Sequence, residues 1–306
     1  MLILSCVALV LAGSYYLFPL RWAKLLLCAE RRRSGLRSRC RDVDGRTFHY
    51  LEGGRKIDGP VIVMLHGFGA DSDHWVPMAR SLVRRFHVLA PDLPGFGRTS
   101  ASVTERFELP LQAERIRALL RAKGIGRYHL VGNSMGGNIA GLIAHDFPDE
   151  VASLTLLEPQ GIESRIPTAL DLQIRGGLVP LIPATVEEFD RLVELAFVKR
   201  PFIPRAVYLY LRTEALASRA LHRVVWRDLW SPRYPYLLEK HLPGIRAPTL
   251  VVWGDSDRFL HETALEKLER DLKDVRVVRM KACGHTPMLE RPKQVANYFE
   301  GFVTRL

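Results

Sequence analysis

The stretch "LVGNSMGGNIAG", residues 130–141, sets Gly132 and Gly136 two positions either side of Ser134, between a short apolar run and a helix-like segment. Glycine weakens strands and helices alike, so this cluster needs a steric reason. A Gly-x-Ser-x-Gly sequence between strand and helix supplies one. The chain reverses sharply, the serine takes a strained backbone conformation at the strand tip, and side chains two positions away would collide. Gly137 lets the following helix pack closely, and that helix's first N–H groups point at any negative charge forming there. The pattern predicts a nucleophile elbow carrying Ser134.

Outward from the elbow, strand-like and helix-like stretches alternate. "RTFHYLEG" (46–53), "PVIVMLHG" (60–67), "FHVLAPDL" (86–93), "YHLVGNS" (128–134), "VASLTLLE" (151–158), "PTLVVWGD" (248–255) and "VRVVRMKACG" (275–284) read as short hydrophobic strands. Helices are expected near 111–124, 135–147, 261–273 and 291–306. This order predicts an α/β fold, a mostly parallel sheet with helices on both faces. Between Ile162 and Leu242 the rhythm breaks into proline- and arginine-bearing helical sequence, which suggests an inserted helical cap. The expected organisation is an N-terminal segment over 1–44, a core over 45–161, a cap over 162–242 and the rest of the core over 243–306.

A serine hydroxyl is a weak nucleophile and needs a base. His285, in "CGHTPMLERP", falls in a Gly-His turn between the last strand and the final helix. Asp257, in "VVWGDSDRFL", follows a buried strand and is the expected partner that orients the imidazole, with Asp255 as its rival and Glu158 as a substitute acid. The order Ser134…Asp257…His285 is the one this fold requires. Oxyanion donors are expected at the backbone N–H of Met135 and, from "HGFG" (66–69), of Phe68. His66 and Asp92 read as organisers of their loops. Such a site needs no metal and no organic cofactor.

The formal charge of +11 raises the question of nucleic acid, but no zinc-finger spacing, RNA-binding aromatic motif or basic-zipper pattern accompanies it. Residues 1–44 hold eight Lys/Arg against three acids, all of them after "LILSCVALVLAGSYYLFPL" (2–20), which carries no charge. As a helix those 19 residues would span roughly 28 Å, close to the hydrocarbon thickness of a bilayer. They lack the basic start of a signal peptide, their "LAG" matches its small-residue cleavage site poorly, and they read as an N-terminal transmembrane helix followed by a basic juxtamembrane helix. The charges after the span favour a catalytic domain on the cytoplasmic side. Cys6, Cys28, Cys40 and Cys283 show neither zinc nor disulfide spacing and read as unpaired thiols.

Five ordered motifs, "HGFG", "PDLPGFG", "GNSMGG", "WGDSDR" and "CGHTPMLERP", make the chain resemble an α/β-hydrolase over about residues 46–306. Within that superfamily it is similar to membrane-anchored monoacylglycerol lipases and to bacterial lysophospholipase and phospholipase A enzymes. The resemblance implies the α/β-hydrolase fold, with Ser134, Asp257 and His285 as nucleophile, acid and base and Phe68 and Met135 as oxyanion donors. It implies cleavage of lipid esters to a fatty acid through an acyl-enzyme, at a membrane and without a cofactor. It also implies a bacterial inner-membrane setting in which a periplasmic orientation competes with the charge rule. A homodimer through the N-terminal helix is left open. Apolar runs in the cap, "LVPLIP" (178–183), "LAFV" (195–198) and "YLYL" (208–211), are candidates to line an acyl tunnel.

Two other functions share this pattern. Carbon–carbon bond hydrolases of ring-cleavage products carry a similar "GNSMGG" and the same triad, but have no reason for a membrane span. A non-catalytic, hydrolase-like binding protein would be expected to have lost Ser134, Asp257 or His285, and all three are present. Haloalkane dehalogenases and epoxide hydrolases need aspartate where this chain has Ser134.

Overall fold

Runs of β-branched residues and amphipathic stretches alternate in the computed structural model, which describes residues 13–55, 60–230 and 236–306. After α1 (Pro19–Arg33) come β1 (Leu36–Val43), β2 (Arg46–Gly54), β3 (Val61–Leu65), α2 (Val76–Leu82), β4 (His87–Pro91), α3 (Leu109–Ala122), β5 (Tyr128–Asn133), α4 (Met135–Asp146) and β6 (Val151–Leu157). The chain then forms α5 (Ala169–Arg175), α6 (Val186–Ala196), α7 (Arg205–Ala217), α8 (Arg219–Leu229) and α9 (Leu237–His241) before the next strand. It closes with β7 (Thr249–Gly254), α10 (Leu265–Asp271), β8 (Val275–Met280), α11 (Pro287–Glu290) and α12 (Pro292–Val303).

The strands form one sheet in the order β1-β2-β4-β3-β5-β6-β7-β8. β1 and β2 are antiparallel to their neighbours, and from β4 across to β8 every pairing is parallel. Side chains alternate between two cores. Val63 and Leu65 of β3 and Leu130 of β5 join α3 and α4 on one face, while Ile62, Met64 and Val131 join α2 and α12 on the other. Parallel strands buried on both sides have their carboxyl ends facing one edge, where the loops carrying Ser134, Glu158, Asp257 and His285 emerge.

Residues 36–43, grouped with the anchor on sequence grounds, belong to the sheet: β1 pairs with β2 from Leu36↔Gly53 to Val43↔Arg46. Its sequence "LRSRCRDV" has no apolar alternation because, as an edge strand, it buries only Leu36 fully. The exposed arginines guard an open edge against pairing with another chain. The basic helix α1 is likewise docked on the body of the protein. Arg31 clasps Asp73 with two hydrogen bonds, Arg80 pairs with Glu30, and Ala23 is buried against Ala206 and Val207 of α7. Tyr210 and Leu211 of "YLYL" pack in this same cluster.

Most of the span expected over residues 2–20 lies outside the described residues. Among the described residues no helix is long and apolar enough to cross a membrane. Cys28, Cys40 and Cys283 are free thiols; Cys6 lies outside the described residues.

The elbow explains its glycines. A β-carbon on Gly132 would lie 2.3 Å from the Gly136 carbonyl oxygen, and one on Gly136 would lie 2.1 Å from that of Leu65 and 2.5 Å from that of His66. The collisions are therefore with the backbone of the helix start and of β3, rather than with the serine side chain. Backbone cannot rotate away as a side chain can, so Gly136→Ala is expected to cost more than about 4 kcal/mol. A urea unfolding curve will measure the loss.

Candidate active site

Ser134 sits between β5 and α4 with φ 53° and ψ −119°, a conformation that costs on the order of 1–3 kcal/mol in a non-glycine residue. Surrounding bonds over-determine it. The Ser134 N–H donates to the Leu157 carbonyl at 3.0 Å, and its own carbonyl accepts from Gly137, Asn138 and Gln160. Asn133, which sequence reasoning passed over, adds a staple. Its Nδ2 donates to the carbonyls of Leu157 and His285, both at 3.1 Å, tying the elbow to the loop that bears the histidine.

The His285 Nδ1–H donates to Asp257 Oδ2 at 2.8 Å, with 6% and 1% of the two side chains exposed. The other carboxylate oxygen of Asp257 accepts from the N–H groups of Phe259 (2.7 Å) and Leu260 (3.2 Å). Acid and base thus meet although 28 residues separate them, and the Phe259 ring lies 4.6 Å from the imidazole. The hydrogen bonds among the described residues do not join the Ser134 hydroxyl to this ring. Catalytic contacts of unliganded hydrolases commonly tighten only when substrate binds.

Met135 opens α4, so its N–H lies in the first turn, where intrahelical partners are lacking. A β-carbon on Gly67 would stand 3.2 Å from Ser134 Cβ, which puts the "HGFG" loop directly against the elbow. Within that loop the buried His66 donates from Nδ1 to the Gly67 carbonyl at 2.8 Å and accepts the Leu93 N–H on Nε2 at 2.9 Å. Burial keeps that ring neutral, its pKa held below the ordinary value. Asp92 is also structural: its carboxylate accepts from His49 and from the backbone of Ser72 and Arg98. Asp255 accepts from Ser256 and from the Ala282 N–H, bracing the turn between the β7 and β8 loops.

The segment between β6 and β7 meets the site on two sides. The Ala196 carbonyl accepts the His285 N–H at 3.0 Å, and Arg258 donates to the carbonyls of Glu194 and Phe197. On the other side Phe68 is boxed by Phe96, His222, Trp226 and Trp230, with ring centroids 5.2–6.1 Å away. A cavity of about 400 Å³ beside Asp257 is bounded by Ala169, Leu170, Leu195 and Arg258 among others. Of the apolar runs named from sequence, only "LAFV" contributes to its wall, through Leu195.

Burial pushes the His222 ring down to about 4 from 6.5, with a smaller contribution from His66. As pH falls, the unfolded chain therefore binds the proton first. The contribution of the neutral ring is complete above about 6.5 and is lost as pH drops towards about 4. His222→Phe should remove up to about 3 kcal/mol of this acid-side loss, read from urea unfolding across that window.

A doubly covered parallel sheet, a strained serine at a strand end, and an Asp–His pair delivered by the two following loops define a hydrolase of the α/β class. The chain belongs to the alpha/beta hydrolase fold family, whose profile matches residues 60–292. It is 30% identical to monoacylglycerol lipase abhd6-B of Xenopus laevis over 96% of this chain and 90% of that one. It is 31% identical to lipase 3 of a Moraxella species over 80% and 78%. Among solved structures, a membrane phospholipase A described as a bacterial virulence factor superposes with a TM-score of 0.90 at 38% identity, covering 99% and 97% of the two chains. The family is the one the five ordered motifs resemble, and these relatives fall in the lipase and phospholipase group to which the chain is similar.

Proposed function

We propose that this protein hydrolyses carboxylic esters of lipids through an acyl-enzyme on Ser134. The observation that carries the reading is the buried His285–Asp257 pair at 2.8 Å, delivered to the strand edge where Ser134 is held at φ 53°. His285 Nε2 takes the hydroxyl proton as Ser134 Oγ bonds to the ester carbonyl carbon, and the N–H groups of Met135 and Phe68 receive the oxyanion. Collapse breaks the bond to the alcohol, which leaves with the proton from His285. Water then attacks the acyl carbon as His285 takes its proton, the bond to Ser134 Oγ breaks, the serine recovers that proton from His285, and the fatty acid departs.

The lipid assignment is supported by the lipase and phospholipase relatives and by the cavity beside Asp257. We also assign residues 2–20 as a membrane anchor. That reading is supported by their lack of charge, by the basic residues that follow and by exposed Leu17, Phe18 and Leu25 on the described part. An anchor holds the site beside a poorly soluble substrate and raises its effective concentration. The helical insertion would then act as a cap over the acyl chain.

The test is an assay of full-length, detergent-solubilised protein on monoacylglycerol, lysophospholipid, diacyl phospholipid and a ring-cleavage dienoate, alongside a fluorophosphonate probe. Labelling with release of fatty acid is the expected result. An unreactive native protein would mark a binder, and preference for the dienoate would mark a carbon–carbon hydrolase.

A further inference from the structure

Glu158 ends β6 and takes no step in the hydrolysis above. It is fully buried and has φ 45°, a left-handed backbone that only four other non-glycine residues among the described ones adopt, Ser134 being one. Its own N–H donates to the Val252 carbonyl at 3.1 Å, and its Oε1 accepts the Gly254 N–H at 2.8 Å. Oε2 is buried with no hydrogen-bond partner. An oxygen of Glu158, an oxygen of Asp257 and a ring nitrogen of His285 all lie within 4.8 Å of one another.

Two ionised carboxylates so close, away from water, repel strongly, and one of them keeps a proton. Donors decide which. Asp257 accepts three N–H groups, from Phe259, Leu260 and His285, all of which favour its charged form. Glu158 accepts one, and its second oxygen meets none. The remaining groups around it do not help it ionise. Glu290, on α11, adds like charge, and the Cys283 thiol after β8, pushed up to about 12 chiefly by burial, offers no charge to offset it. Arg291 lies by the Cys283 thiol, with its Nη2 donating to the Ala282 carbonyl.

We propose that Glu158 is a positioning residue that carries a proton on Oε2 at neutral pH and so keeps Asp257 the single negative charge beneath His285. A lone charge orients the ring and supports its protonated form in the transition state. A second charge would make the ring more basic and slow proton return to the leaving alcohol. Burial and the Asp257 charge, in that order, raise the Glu158 pKa well above the carboxylate range, in the same direction. The role rests on the hydrolytic reading of Ser134, but the placement of the proton does not.

The test therefore has two arms. In the wild-type protein at neutral pH, the infrared spectrum should hold a protonated-carboxyl C=O band that disappears at alkaline pH and is missing from Glu158→Gln. Absence of a band that depends on Glu158 would overturn the proposal whether or not the enzyme turns over. In the pH profile of kcat/KM, Glu158→Gln should leave the acid limb within about 0.3 unit of wild type, because neutral replaces neutral. A fall of about one unit or more would mean that Glu158 carries charge beside the ring, and the proposal would fail. Fluorophosphonate labelling of Ser134 in the same samples checks the hydrolytic reading separately.

Discussion

Ser134→Ala is expected to lower kcat on a lipid ester by on the order of 10⁶ and to abolish fluorophosphonate labelling. The proposed acyl-enzyme route has no substitute for Oγ, since the elbow presents one hydroxyl at the β5 tip and its neighbours are occupied. Asn133 is spent on two carbonyls, and the Cys283 thiol is buried with its pKa pushed up to about 12. Alanine keeps a β-carbon at φ 53°, so the strain and the backbone bonds of the turn persist. The unfolding midpoint should stay close to wild type, which separates lost chemistry from lost fold. Turnover or labelling retained in this variant would remove Ser134 from the mechanism.

Asp257→Asn should follow, with a loss on the order of 10⁴ in kcat. One carboxylate oxygen is committed as acceptor to the Phe259 and Leu260 N–H groups, and the other receives the His285 Nδ1–H. In asparagine the amide oxygen must serve the two backbone donors, which turns the NH₂ towards Nδ1. The ring then carries its proton on Nε2, the atom that has to accept from Ser134. The defect is one of tautomer, so KM should change little while kcat collapses. A variant within about tenfold of wild type would show that another carboxyl orients the ring.

Much of this site is legible in local sequence because its demands are local. Gly132 and Gly136 announce the elbow, since a backbone collision at 2.1–2.3 Å admits no other residue cheaply. Strands β3 to β7 can be read as apolar runs because the sheet buries both faces of each. The two edge strands each bury one side chain fully, but β8 keeps Val275, Val277 and Val278, whereas β1 carries mostly charged and polar residues and only its pairing with β2 reveals it. The sequence favours Asp257 over its rival Asp255, and the folded chain puts Asp257 2.8 Å from His285 and sends Asp255 to Ala282.

By itself, then, the sequence determined the strand–turn–helix junction at Ser134, the alternation that makes a parallel sheet, and the order in which acid and base return to it. These follow from steric exclusion and side-chain periodicity within a few residues. The tertiary structure alone decided that α1 docks on α7, that carbonyls of the inserted helices hold the Asp257 and His285 loops, and that Glu158 is enclosed beside Asp257. Burial and charge proximity are sums over segments far apart in the chain, so they come into being only when the whole chain has folded.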